Sequence, residues 1–219
     1  MNDDDRNLLI SLLKFLRHAI DSEQDRNVLE GVIASSLDPV LLFVLEQVAS
    51  MDISPINHSH QELASEVMSF LRWMLSNAKL SQVEKYAQSS RCAEVLMIYT
   101  HHIFASETEM AKKHGNRIDC LMALLPITQI PNIVMLIHSE TVVSIISILV
   151  QVMGYLQQNY FGNSGSDGFT YKDRRVYRLA VLCLRNLSRS CIDENLKSIS
   201  WGSHWLFDDD IQWVVVIAE

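Results

Sequence analysis

Apolar residues recur along most of this chain at the three- and four-residue intervals of an α-helix. Leu9, Leu12, Leu13, Leu16 and Ile20 fall on one face of a segment that opens after Asp3–Asp5, whose carboxylates suit the positive end of a helix. A second helix is predicted after Ser22, through Val28, Leu29, Val32 and Ile33. Asp38 and Pro39 read as a cap with proline at the first helical position. The run VLLFVLEQVASM behind them is apolar almost all round and therefore reads as a buried helix. After the connecting stretch DISPINHSH, a long helix is predicted over 61–77, and Ser81-x-x-Glu84 resembles a capping box that opens a short one. Further helices are predicted over 91–106, 116–125, 131–139, 140–160 and 172–190, with a short one near Asn195. GNSGSDGFT, 162–170, is the one clear loop by composition. The segment 208–218 contains WVVVIA, a strand by propensity, yet nothing else in the chain offers a sheet partner, so it too reads as helix. The pattern as a whole predicts an all-α chain of about a dozen helices.

Composition agrees with this reading. Only 7 Gly and 4 Pro occur in 219 residues, and hydrophobic residues make up 48%, enough for a sizeable core. With 18 Lys and Arg against 26 Asp and Glu, the net charge of −8 argues against direct nucleic-acid binding, which needs a basic face to neutralise phosphates. Cys92, Cys120, Cys183 and Cys191 are dispersed and form no CxxC, the usage of reduced core cysteines in a cytoplasmic or nuclear protein. The start, MNDDDRN, lacks the basic, apolar character of a signal peptide. The most apolar stretch, Val142 to Val150, is short and broken by Ser144 and Ser147, so a core helix is expected there and no membrane span.

The informative feature is self-similarity. FLRHAIDSEQDR from Phe15, FLRWMLSNAKLS from Phe70 and CLRNLSRSCIDE from Cys183 each end an amphipathic helix and lead through a polar turn into a short helix. A weaker copy, YTHHIFASETEM from Tyr99, is followed by AKKHGNRIDCLMALL, and a degenerate unit fits around 140–160. The spacing averages around 40 residues, as in two- or three-helix solenoid repeats.

This pattern resembles armadillo repeats. The best match is RLAVLCLRNLSRSCIDENLKSI, from Arg178 to Ile199, with Ala180, Leu184, Asn186 and Leu187 at the places such a unit uses them. The resemblance, which extends to HEAT repeats, implies a right-handed α-solenoid of about four to five units in one domain over 1–219, stacked so that each unit covers its neighbour's apolar face. It implies a non-catalytic scaffold or adaptor that takes a peptide or helix of another protein in its concave groove. The chain departs from importin-alpha-like members, which carry Trp four residues before the groove Asn, because Leu182 stands there. Recognition of nuclear-localisation signals is therefore not implied.

On the 172–190 helix, Val176, Ala180, Cys183, Leu184, Leu187 and Cys191 form the expected core stripe, while Arg174, Arg178, Arg185 and Arg189 cluster elsewhere with Leu182 and Asn186 beside them. Arg17, Arg72, His101 and Arg185 share one repeat position, and His18, Trp73, His102 and Asn186 the next. Two readings stand. Either the stacked repeats set these side chains in ladders that bind an acidic or amphipathic segment through Arg–carboxylate pairing, or the arginines are the solvated face of helices, their stems packed on neighbours.

At the other end of the pattern, Trp201, Trp205, Trp213 and the Val214–Ile217 run either fold back on the preceding unit, continue into a longer array, or meet a partner. A structural subunit packed permanently into a larger complex through this apolar C-terminal end is the alternative function, and self-association through Trp213–Ile217 is a further expectation about partners.

Catalytic and metal chemistry finds little support. His58, His60, His101 and His102 lack a completing Cys or carboxylate set, and Asp208–Asp210 read as a cap or a solvated run. Ser76-x-x-Lys79 has no accompanying motif, and GNSGSDG lacks the lysine of a phosphate loop. No cofactor, metal site or enzymatic activity is expected.

Overall fold

The computed structural model describes residues 3–19, 37–50, 58–89, 91–106, 114–162 and 170–192. The expected helices at 22–33 and near Asn195, and the segment 208–218, lie outside them. Among the described residues the chain is all α, with nine helices and no strand. They are α1 (Asp3–Ala19), α2 (Leu37–Ser50), α3 (His58–Asn77), α4 (Leu80–Ser89), α5 (Cys92–Ala105), α6 (His114–Thr128), α7 (Pro131–Val134), α8 (Ser139–Gly162) and α9 (Tyr171–Ile192).

Local chemistry accounts for several boundaries. α9 opens on a reciprocal capping box: the Asp173 amide donates to Thr170 Oγ1 at 3.2 Å, and the Thr170 amide and hydroxyl donate to Asp173 Oδ2 at 3.0 and 2.6 Å. α4 begins two residues earlier than Ser81-x-x-Glu84 suggests, and its cap is Gln82, whose Oε1 accepts from the Lys79 amide at 2.8 Å. α6 carries Pro126 inside its last turn, where the ring removes an amide and the helix stops two residues later. α7 is a single turn, shorter than the pattern over 131–139 predicts, because the backbone tightens into turns from Met135.

The helices pack in a definite order. α1 lies on α3, α3 on α6 and α6 on α9; α2 lies on α5 and α5 on α8; α2 packs on α3, α5 on α6 and α8 on α9. The two sets share the core between them. α5 is the most enclosed helix, with Cys92, Ala93, Val95, Leu96, Met97, Tyr99, Thr100, Ile103 and Phe104 all buried. Thr100 resolves its polarity within the helix by donating to the Leu96 carbonyl at 2.6 Å.

Side-chain bonds fix the direction of the first set. Lys14 pairs with Glu66 and, one turn on, Arg17 bonds Ser69, so α1 and α3 run parallel. Ser65 bonds Asn116 and Arg72 pairs with Asp119, so α3 and α6 run parallel. Arg175 meets Met122 and Asn186 meets Thr128, so α6 and α9 run parallel. Several of these partners are 51 to 58 residues apart in sequence.

α2 is not buried all round: Phe43 is 57% exposed and Val40 is exposed beside it, while Leu41, Leu42, Val44, Leu45 and Val48 enter the core. α8 contains a segment, Ser139–Gln157, long and apolar enough by length and composition to cross a membrane. In the folded chain Val142, Ile145, Leu149, Met153 and Leu156 form a buried stripe on this helix, which packs on α5 and α9.

Candidate functional site

The row α1, α3, α6 and α9 carries most of the residues singled out in the sequence. Arg17 lies near the end of α1, Arg72 and Trp73 on α3, and Arg178, Leu182, Arg185, Asn186 and Arg189 on α9. His101 and His102 stand apart: they are on α5, which belongs to the second set. The match of YTHHIF to the other copies reflects similar helix chemistry, not an equivalent place in the fold.

The arginines differ in how they are used. Arg17 Nη1 donates to Ser69 Oγ at 2.7 Å, and Arg72 Nη1 lies 3.2 Å from Asp119 Oδ1. Ser69 also hydrogen-bonds Asp119, so one chain of contacts links α1, α3 and α6. Burial lifts the Asp119 carboxyl above the ordinary carboxylate range, against the opposing pull of Arg72, Ser69, Arg17 and Arg175. From the opposite side, Arg175 of α9 directs Nη2 at Met122 Sδ, 3.1 Å away. Asp119 and Met122 are three apart on α6, so they share a face, with Pro126 a further turn along; all three are half-buried.

Along α9, Arg174, Arg178 and Arg189 are exposed, with no ion-pair partner among the described residues, and Leu182 is 41% exposed between them. Arg185 is half-buried, and its Nε is enclosed without a hydrogen-bond partner there. Asn186 turns toward α6 and donates to Thr128 Oγ1 at 3.2 Å. The core stripe is as expected at Val176, Ala180, Cys183, Leu184 and Leu187. Trp73 packs partly against the core, its ring centroid 5.8 Å from that of Phe70.

α6 thus packs between α3, which carries Arg72 and Trp73, and α9, which carries Arg175, Arg178 and Leu182. The sequence singled out Arg72, Trp73, Arg178 and Leu182 and missed Ser69, Asp119, Met122 and Arg175. The available signal was the spacing of Asp119 and Met122 on the face of α6 away from the buried Cys120, Leu121 and Leu124.

On α5, His102 stacks on Tyr99 with ring centroids 6.4 Å apart. Burial, and then the charge of His101, lower its pKa from the ordinary imidazole value. Burial also raises the Tyr99 hydroxyl and the Cys120 thiol, and pushes the Cys183 thiol up to about 12. Arg117 of α6 lies over the Phe104 ring, 5.4 Å from its centroid. Among the described residues no group of three or more His, Cys, Asp or Glu is placed to hold a metal ion. No protein-family model, curated protein or solved structure matches this chain.

Proposed function

We propose that this protein is a non-catalytic scaffold or adaptor, a stack of armadillo- or HEAT-like helical units whose row α1, α3, α6 and α9 lines a trough for an acidic or amphipathic segment of another protein. One observation carries the reading: each helix of the row runs parallel to the next, with side-chain partners 51 to 58 residues apart. An up-down bundle sets sequential neighbours antiparallel. Parallel neighbours one supersecondary unit apart are the arrangement of a solenoid. The grouping α4, α5, α6 and then α7, α8, α9 gives a short helix followed by two long ones, the plan of an armadillo unit. The buried stripe of α8 favours a core helix over a membrane span, and the dispersed buried cysteines favour the cytoplasm or nucleus.

The test is a pull-down from cell extract, read by mass spectrometry, with the wild-type chain against Arg178→Glu/Arg189→Glu. Both arginines are exposed, so the variant keeps its melting temperature. Proteins held by the wild type and released by the variant support the trough. An identical set of captured proteins sinks it.

A second reading, an assembly subunit packed permanently into a larger complex, draws support from the other end of the row. There α1 exposes Leu8, Leu12 and Phe15, and α2 exposes Val40 and Phe43. Light scattering after size exclusion separates the two: a stable monomer favours the adaptor, an obligate oligomer the subunit.

A further inference from the structure

In the trough proposed over α6, guanidinium groups reach that helix from both of the helices flanking it. Arg72 comes from α3 to Asp119, and Arg175 comes from α9 to Met122, one helical turn away. Arg17 comes from α1 to Ser69, close enough for its charge to act on Asp119. Their contacts are unequal. Arg72 has a carboxylate. Arg17 has only a hydroxyl, and Arg175 only a thioether, a weak acceptor that leaves a guanidinium charge uncompensated. Three positive charges therefore face a single negative one, an excess of about two in a chain whose net charge is −8.

We propose that this trough holds a phosphorylated serine or threonine side chain of a bound peptide, gripped by Arg175 from the α9 wall and Arg72 from the α3 wall. The proposal rests on the trough reading above and specifies its ligand. Charge decides between candidate acids. A phosphomonoester brings about −1.5 to −2 at neutral pH, close to the local excess, whereas one Asp or Glu brings half of that. Three acceptor oxygens also suit two guanidinium forks arriving from different directions, which a single carboxylate satisfies less well. Asp119 has a defined part in this arrangement. It holds Arg72 on the floor before the ligand arrives, so less side-chain freedom is lost on binding. The apolar surface beside it, from Met122, Trp73 and Leu182, takes the flanks of the peptide.

The test uses the full chain and a fluorescein-labelled degenerate peptide library with one fixed phosphoserine, alongside its unphosphorylated copy and its Ser→Glu copy. Fluorescence anisotropy is expected to show the phosphorylated library binding about tenfold more tightly than either control. Arg175→Met should reduce that preference to less than about twofold, the size expected when one charge-assisted fork is lost. Because Arg175 is exposed, the variant should keep the wild-type melting temperature, and Arg175→Gln serves as its polar counterpart. Independently of any variant, titrating inorganic phosphate into the 15N-labelled wild type should shift the Nε–Hε signals of Arg72 and Arg175 ahead of those of Arg91 and Arg189. Equal binding of the three libraries, or a phosphate preference that survives Arg175→Met, overturns the proposal. Equal binding that is weakened by Arg178→Glu/Arg189→Glu removes the phosphate subsite and leaves the trough standing. Absence of all peptide binding, with capture unaffected by the α9 charge reversals, removes both.

Discussion

Arg72 on α3 and Asp119 on α6 are joined by an ion pair with Nη1 and Oδ1 3.2 Å apart, their side chains 30% and 17% exposed. Burial outweighs the pair, so the folded-state pKa of Asp119 is raised. The sign follows: folding favours the protonated carboxyl, and stability from this group is fullest below the unfolded value of about 3.9 and falls as pH rises through the folded one. Arg72→Met removes the largest opposing pull and leaves the charge enclosed. It should cost about 1–2 kcal/mol at pH 7, discounted for the partial exposure of the pair, and less at pH 4. The double variant Arg72→Met/Asp119→Asn should be more stable at pH 7 than Arg72→Met alone. Urea melts at both pH values decide it; an equal loss for Arg72→Met at both would show that packing, not charge, holds the pair.

His102 gives the opposite pH dependence. Its folded pKa lies below the ordinary imidazole value, first through burial and then through His101. Stability from the neutral ring is therefore complete above about 6.5 and is lost as pH falls through the lowered folded value. His102→Phe retains an aromatic ring on Tyr99 and removes the titration. Thermal melts at pH 5 and pH 7.5 should show a smaller drop for the variant than for the wild type.

Cys92, Cys120 and Cys183 are buried and form no disulfide. Burial raises the Cys120 and Cys183 thiols, which stay protonated at neutral pH. In a Cys191→Ser background, a disulfide-exchange reagent should leave all three unreacted in the folded protein and modify all three in denaturant. Rapid reaction of any one under native conditions would contradict its placement in the core.

Arg185 and Arg189 are both on α9, yet they should respond differently to charge reversal. Arg189 is exposed, and Arg189→Glu should change stability by less than about 0.5 kcal/mol. Arg185 encloses its Nε without a partner among the described residues. Arg185→Met should then be tolerated, while Arg185→Glu, placing a carboxylate in the same half-buried position, should lose about 1–3 kcal/mol. Equal denaturation midpoints for the two glutamate variants would argue that Arg185 is as free as its neighbour.

Much of the architecture is legible in the sequence because helical periodicity reports which face is apolar. The stripe from Val176 to Leu187 and the long helix ending at Asn77 are examples. Periodicity does not report which helix meets that face. The run Val40–Val48 is apolar almost all round, yet Val40 and Phe43 remain exposed, since α2 touches α3 and α5 on one side only. The same limit separates His101 from Arg17, Arg72 and Arg185. Similar letters mark similar helices, and only the packing of α5 on α2 and α8 assigns it to the other set. Asp119 escaped notice because an acid on an amphipathic helix looks solvated until Arg72 and Ser69 are brought over it. The Thr170–Asp173 box was missed as well, although its Thr-x-x-Asp spacing carried the signal.

The order of packing also determines where this protein gives way first. Each helix of the α1, α3, α6, α9 row leans mainly on its neighbours in that row, so disruption is expected to pass from one helix to the next along it. Backbone amides of α1 should exchange with deuterium early, and those of α5, walled in by α2, α6 and α8, last. Such a molecule melts as a zipper does, and a ligand laid across several teeth at once would hold it shut.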